Sequence, residues 1–124
     1  MPKAIINNTH LSFSEDTRAI TQDIVKPYQN KVTHITIPEG VTTIGNGAFN
    51  GCTGLTPVTF PDSLTTISNS AFADCTGLTH LILPATTRLI TIREGAFAGC
   101  TGLTHLILPN SLTTINNGAF GNCT

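Results

Sequence analysis

Apolar residues fall at fixed intervals along most of this chain. Over 103–124 they are Leu103, Leu106, Leu108, Leu112, Ile115, Ala119, Phe120 and Cys123, with Ile107 set between the two strand leucines. Leu106 and Leu108 stand two apart, so they share one face of a predicted strand, and His105 and Ile107 share the other. Pro109 has no N–H to give a ladder and ends that strand. Asn110-Ser111 makes a corner. Leu112 and Ile115 then turn back inward, with Thr113 and Thr114 outside. Asn117-Gly118 is a second turn signal. Ala119-Phe120 dips inward, on what the pattern predicts as one turn of helix, and Cys123 closes the circuit.

The same circuit is written four times, over 32–54, 55–77, 78–102 and 103–124. Self-similarity at a period of about 23 residues means a solenoid, in which stacked coils bury a thin continuous core between neighbours. The predicted architecture is a right-handed α/β-type coil with a parallel sheet on one face and short helical turns. Residues 35, 37, 58, 60, 81, 83, 106 and 108 should point inward, and 34, 36, 80, 82, 105 and 107 outward. Phe49, Phe72, Phe97 and Phe120 recur at one position and should stack as a spine, where good ring pairs add to area burial. The third unit carries two extra residues within 85–90, which bears on the regularity of its corner rather than on the fold.

The unit L-x-x-L-x-L-P-x-S-L-T-x-I-x-x-x-A-F-x-x-C resembles the BspA-type, or treponemal-type, leucine-rich repeat. Leu78, Leu81, Leu83, Pro84, Ile92, Ala96, Phe97 and Cys100 carry the match in the third unit, and their equivalents carry it in the others. The resemblance covers 32–124. It implies a leucine-rich-repeat solenoid similar to bacterial and protist surface or secreted proteins, which work as adhesins or host-binding modules.

Residues 1–31 lack the motif and are predicted to be an N-terminal cap, since a solenoid end needs a polar outer face. A short strand is expected at residues 3–6. Ser14, followed by Glu15 and Asp16, has the character of a helix start. Ala19, Ile20, Ile24 and Val25 would form one face of that helix, with Pro27 ending it. The fourth unit has no such device after it. Its open strand edge invites pairing, so the expectation is either a longer array or self-association through the C-terminal repeat.

Composition removes several function classes. Charged residues make up 10% of the 124, with a formal net charge of −1, so no basic stripe exists to neutralise phosphates and nucleic acid is not an expected partner. No run of 18 or more apolar residues points to a membrane span, and the first residues lack the apolar stretch of a signal peptide. Cys52, Cys75, Cys100 and Cys123 occur once per unit, spaced 23, 25 and 23 apart. That spacing fits a ladder of free, buried thiols better than disulfides or a zinc motif. Asn7-Asn8-Thr9 and Asn122-Cys123-Thr124 fit the glycosylation sequon, as chance allows in an Asn- and Thr-rich chain. No G-x-S-x-G elbow, P-loop or dinucleotide fingerprint occurs. The acids of the array, Glu39, Asp62, Asp74 and Glu94, fall at different repeat positions. An enzyme is therefore not expected, nor a cofactor.

What remains is the outward strand face: His34, Thr36, Thr59, His80, Ile82, His105 and Ile107, with Pro57 in the histidine column of the second unit. His80 and His105 should be neighbours, but a zinc site wants three or four ligands, and His34 stands two rungs from His80. No metal is expected there. Ile82 and Ile107 should form a small apolar patch, of the kind that marks binding sites. Four strands of four residues offer about 260 Å², against about 800 Å² per partner in a standard interface. The face alone is too small for tight protein binding, so more repeats, the loops or a small ligand must enter. The reading is a protein-interaction module, acting in adhesion or host-protein binding. Its rivals are an intracellular or injected effector scaffold and a structural spacer. A surface or secreted location follows from the resemblance alone.

Overall fold

A computed structural model describes residues 4–56 and 58–123. Its elements are β1 (Ala4–Asn7), β2 (His10–Phe13), β3 (Ala19–Ile20), α1 (Gln22–Val25), a 3₁₀ turn (Lys26–Tyr28), β4 (His34–Thr36), β5 (Thr43–Ile44), β6 (Val58–Thr59), β7 (Thr66–Ile67), β8 (His80–Ile82), β9 (Thr91–Ile92), β10 (His105–Ile107) and β11 (Thr114–Ile115). They wind into a parallel-sheet solenoid with three sides. One side carries β2, β4, β6, β8 and β10, all but β6 opening with histidine. The second carries the Thr-Ile strands β3, β5, β7, β9 and β11, paired in parallel as one five-stranded sheet. The third carries the Ala-Phe turns.

Why threonine is so frequent is visible in the second sheet. A β-branched residue suits the extended backbone, and its hydroxyl reaches the coil before it. Thr42 donates to Arg18 O (3.4 Å), Thr65 to Thr42 O (3.1 Å) and Thr113 to Ile90 O (3.3 Å).

The Ala-Phe side is not helical, contrary to the sequence expectation. Ala48 N–H, Asn50 N–H and Cys52 N–H each bond three residues back, to Gly45, Gly47 and Phe49 carbonyls. The N–H groups between them leave the coil: Gly47 donates to Asn69 O, Phe49 to Ala71 O (2.7 Å) and Gly51 to Ala73 O. A helix would need every N–H for itself. Positive φ at Gly47 (61°) and Gly51 (76°) produces the alternation, and Gly95, Gly99 and Gly118 repeat it. The second unit uses Ser70 and Asp74 at the same positions, at φ 58° and 60°.

Between these sides runs the expected phenylalanine spine. Phe49–Phe72, Phe72–Phe97 and Phe97–Phe120 stack with centroids 5.0, 5.2 and 5.4 Å apart and planes within 16°. Phe60 adds an edge contact to Phe72 at 5.8 Å. The cysteines form the ladder beside it, all as free thiols. Cys75 Sγ–H donates to Phe49 O (3.1 Å), Cys100 to Phe72 O (3.2 Å) and Cys123 to Phe97 O (3.1 Å).

The strand register follows the sequence reading. Ile35, Ile37, Phe60, Leu81 and Leu83 are buried, and His34, Thr36, Thr59, His80, Ile82, His105 and Ile107 are exposed. Three inward positions depart from it. Val58 and Leu108 are half-buried, and Leu106 is 45% exposed. Leu106 and Leu108 belong to the last described coil, which has a neighbour on one side only among the described residues. The two extra residues of the third unit leave the core intact: Leu89 is fully buried, as Leu64 is, and Thr87 turns inward to donate to Leu64 O (3.2 Å).

The N-terminal segment differs most from expectation. Lys3 lies outside the described residues, and the strand observed there is β1, which pairs antiparallel with a second strand, β2. β2 then pairs in parallel with β4, and β3 with β5. Ser14–Asp16 forms a turn rather than a helix start: Thr17 N–H bonds to Ser14 O, and Ser14 Oγ to Asp16 Oδ1 (2.7 Å). Ala19 and Ile20 are strand because the β5 edge takes their backbone groups, a tertiary pairing that overrides local helix signals. The helix is four residues long, and Pro27 sits inside the 3₁₀ turn that follows it.

Phe97→Ala should destabilise the chain by about 3–5 kcal/mol, the range for emptying a core aromatic site. Phe120→Ala should cost less, because Phe120 is half-buried and stacks on one side only. Denaturant melts of the two variants check the order, and equal losses would contradict it.

Burial pushes the thiols of Cys52 and Cys100 from an ordinary 9.0 up to about 11, and raises Cys75 as well. Because the folded values are raised, this contribution to stability is complete below pH 9 and is lost as pH climbs through about 11. Melting temperature should fall over that window, and less steeply in a Cys52→Ala, Cys100→Ala double variant. Identical slopes would show that the thiols do not carry the dependence.

Candidate functional site

The histidine-bearing side is where the solenoid departs from regularity. Its strands form two separate sheets, β1-β2-β4-β6 and β10-β8. Pro57, which occupies the histidine position of the second unit, lies outside the described residues. On the neighbouring Thr-Ile side, β7 and β9 stay paired, and Phe72 and Phe97 stay stacked. The coils therefore separate along one side out of three.

Their separation leaves backbone groups without ladder partners. In the last coil, Thr104 N–H and His105 N–H both bond to Thr79 O, at 2.8 and 3.2 Å. The equivalent N–H groups of Thr79 and His80 have no acceptor among the described residues. The gap is a cleft of about 340 Å³ lined by Thr56, Val58, Thr79, His80 and Ile82. Half-buried Val58 forms part of its wall. Neither the cleft nor its unpaired backbone was legible from the motif, although Pro57 marked the place.

The seven outward residues expected from the sequence are all on this side, but they form two groups. His80 and His105 stack with centroids 4.4 Å apart and planes 7° apart, and Ile82 pairs with Ile107 in the same register. Ile82 is 51% exposed and Ile107 55%. Across the cleft stand His34, Thr36 and Thr59, with Thr36 opposite Thr59. A further member of the column, His10, escaped the sequence reading because 1–31 lacks the repeat motif. It aligns with His34 at 6.1 Å between rings, and its Nε2 lies 2.7 Å from Thr36 Oγ1. The signal was present as the dipeptide Thr9-His10, which recurs as Thr33-His34, Thr79-His80 and Thr104-His105.

That dipeptide orients the rings. The threonine hydroxyl of each repeat lies 2.8–2.9 Å from the Nδ1 of the histidine after it. Among the described residues no group of three or more His, Cys, Asp or Glu is placed to hold a metal. No helix among them is long and apolar enough to cross a membrane.

Coils of this length, with a strand, a corner and an Ala-Phe-x-x-Cys turn, define a leucine-rich-repeat solenoid. The family model described as BspA type leucine rich repeat region (6 copies) matches residues 27–124, and the chain belongs to that family. Among solved structures, it is similar to a leucine rich cell surface protein from Faecalibacterium prausnitzii A2-165, at 28% identity and a TM-score of 0.84, over 95% of this chain and 30% of that one. A leucine-rich repeat protein from Bacteroides ovatus ATCC 8483 shares the fold at 24% identity and a TM-score of 0.65, over 98% of this chain and 43% of that one. The pneumococcal vaccine antigen PcpA does so at 20% identity and a TM-score of 0.53, over 89% and 31%. This chain thus spans less than half the length of each. No curated protein matches it. The repeat family and these neighbours support a protein-interaction module.

The two Thr-His dipeptides at 79–80 and 104–105 provide an internal control for the cleft. Local sequence is the same, so unprotected exchange rates are similar. Amide hydrogen exchange should be faster at Thr79 and His80 than at Thr104 and His105, although the latter pair lies in the terminal coil. The reverse order would mean that β6 and β8 are paired in solution.

Proposed function

We propose that this chain binds a protein partner through its histidine-bearing face, as part of a surface-exposed or secreted adhesion protein. The observation that carries the proposal is the exposed Ile82–Ile107 pair beside the cleft, which Ile82 lines together with Val58. A flat strand face offers only shallow contacts. A cleft admits a partner's side chain and shields it from water, which is how a few residues come to dominate an interface. The N–H groups of Thr79 and His80, which have no acceptor among the described residues, add donors at its rim. His34 and Thr36 lie on β4 and Thr59 on β6, on the Val58 side of the cleft, and His80 and His105 flank the isoleucines. The description of the Faecalibacterium neighbour as a cell surface protein supports the location. In this reading the segment up to residue 31 caps the array of 32–124, with β1 covering the outer edge of β2.

The last coil supports a second contact, with another copy of the chain. Gly118, Phe120 and Asn122 occupy the positions whose N–H groups donate to the next coil elsewhere, and they have no acceptor among the described residues. Leu106 is exposed beside them. A two-fold, end-to-end pairing would cover both.

Ile82→Ser with Ile107→Ser tests the first contact, since exposed positions change stability by only about 0.5 kcal/mol. Binding to a panel of purified extracellular-matrix proteins, read by surface plasmon resonance, should occur with the parent chain and be lost in the double variant. Equal binding by both, or none by either, refutes the site. Light scattering over a concentration series reads self-association in the same samples. It should persist in the double variant and disappear in Leu106→Lys.

A further inference from the structure

We propose that the cleft between β6 and β8 takes the carboxylate of an acidic side chain of the protein partner, held by Thr79 N–H, His80 N–H and the Thr79 hydroxyl. The proposal rests on the reading of this face as a protein contact and adds the chemistry that the cleft selects.

The other coils show what these three donors do. In the last coil Thr104 N–H, His105 N–H and Thr104 Oγ1 all reach one oxygen, Thr79 O, at 2.8, 3.2 and 3.2 Å. In the first unit Thr33 N–H and His34 N–H both reach Thr9 O, at 2.9 and 3.3 Å. In the second, where Pro57 has no N–H, Thr56 N–H and Thr56 Oγ1 reach Thr33 O, at 3.0 and 3.4 Å. The carbonyl of the preceding coil's threonine is thus a shared acceptor at each of these junctions. At the third unit no acceptor for Thr79 N–H or His80 N–H stands among the described residues. β8 pairs with β10 residue for residue from His80 to Ile82, so Thr79 and His80 keep the backbone direction of Thr104 and His105. Their donors converge on a point inside the cleft, which Thr79 and His80 line. Thr79 Oγ1 lies 2.9 Å from His80 Nδ1, but Thr104 Oγ1 stands equally close to His105 Nδ1 and still reaches Thr79 O.

Donors aimed at one empty point suit an oxygen that brings negative charge, because bonds to an ionised acceptor are roughly twice as strong as neutral ones. Paired backbone N–H groups are a recurrent way of capturing a carboxylate. None of the five residues lining the cleft, Thr56, Val58, Thr79, His80 and Ile82, is acidic, so nothing there repels one. Val58 and Ile82 offer apolar walls to the stem of the incoming side chain. The junction stays closed on its other two sides, so the opening admits a side chain rather than a whole strand.

The probe is the capped tripeptide acetyl-Leu-Glu-Leu-amide, titrated into the isotopically labelled full chain and followed by amide chemical shifts. Saturable shifts should appear at Thr79 and His80, while the amides of Thr33, His34, Thr104 and His105, already bonded, stay in place. The glutamine version of the peptide should bind at least about tenfold more weakly. Thr79→Val should weaken binding by about tenfold. His80→Pro, which puts in the third unit the residue that the second unit carries as Pro57, should weaken it more than His80→Ala, which keeps the N–H. Equal binding of the two peptides, equal loss in His80→Pro and His80→Ala, or no saturable shift at Thr79 overturns the proposal. Binding of 4-methylpentanoate without binding of the peptide also overturns it, by making a free small acid the ligand. These readouts are separate from the matrix-protein panel: loss of panel binding with peptide binding intact strikes the protein contact and spares the carboxylate site.

Discussion

The division of N–H groups on the Ala-Phe side sets the geometry of the whole solenoid. Every second amide closes a turn within its own coil, and the ones between reach forward to the next. On the strand sides donors reach backward, as Thr65 and Thr66 N–H do to Thr42 O, and forward, as Leu83 N–H does to Ile107 O. Each junction between coils is therefore bonded in both directions. A hydrogen-bonded ladder fixes neighbouring backbones at about 4.8 Å, and the ring spacings of 5.0–5.4 Å in the phenylalanine spine follow from it. The same spacing brings the Sγ of Cys75, Cys100 and Cys123 within 3.1–3.2 Å of the phenylalanine carbonyl one coil back. Alternation of this kind requires left-handed backbone at two positions per coil, which glycine adopts without a steric penalty.

The sequence made the coil legible because each coil meets the same neighbours. Leu81, Leu83, Leu89, Ile92 and Phe97 are buried where the motif placed them, since burial in a stack depends on position within the unit. Legibility failed where a coil's neighbours differ. Leu106 has the motif's leucine but packs against another described coil on one side only, and it is exposed. Residues 10–20 lack the motif yet pair with β4 and β5, because an edge strand accepts any backbone that is extended and near. Helix character around Ser14 and Glu15 was a local preference, and the parallel edge outweighed it. The Ala-Phe turn was taken for helix because alternate bonding leaves no mark in side-chain periodicity; the glycines at 47, 51, 95 and 99 were the available clue.

The candidate site was half legible. Pattern alone placed all seven outward residues on one side, with Ile82 beside Ile107. It did not reveal that Thr59 and Ile82 stand on opposite sides of an opened junction. That opening changes what the face can do. A flat patch of about 260 Å² is well below the roughly 800 Å² of a standard interface, whereas a cleft holding one side chain gains contact on several walls. Tightness in such interfaces comes from a few enclosed anchors rather than from area.

The position of the opening is also informative. Both edges that flank it stay closed, through β7–β9 pairing and through the Phe72–Phe97 stack. The separation is thus confined to the side that bears histidine and isoleucine, and it costs the stack no core contact at Leu81, which remains buried. A general loosening of the junction would have exposed Leu81 and spread the rings. Neither happened. The amides of Thr79 and His80, without acceptors among the described residues, lie on an exposed strand, where water can take their place. A local opening that keeps the core sealed and sits beside the exposed Ile82–Ile107 pair is the feature on which the proposed contact rests.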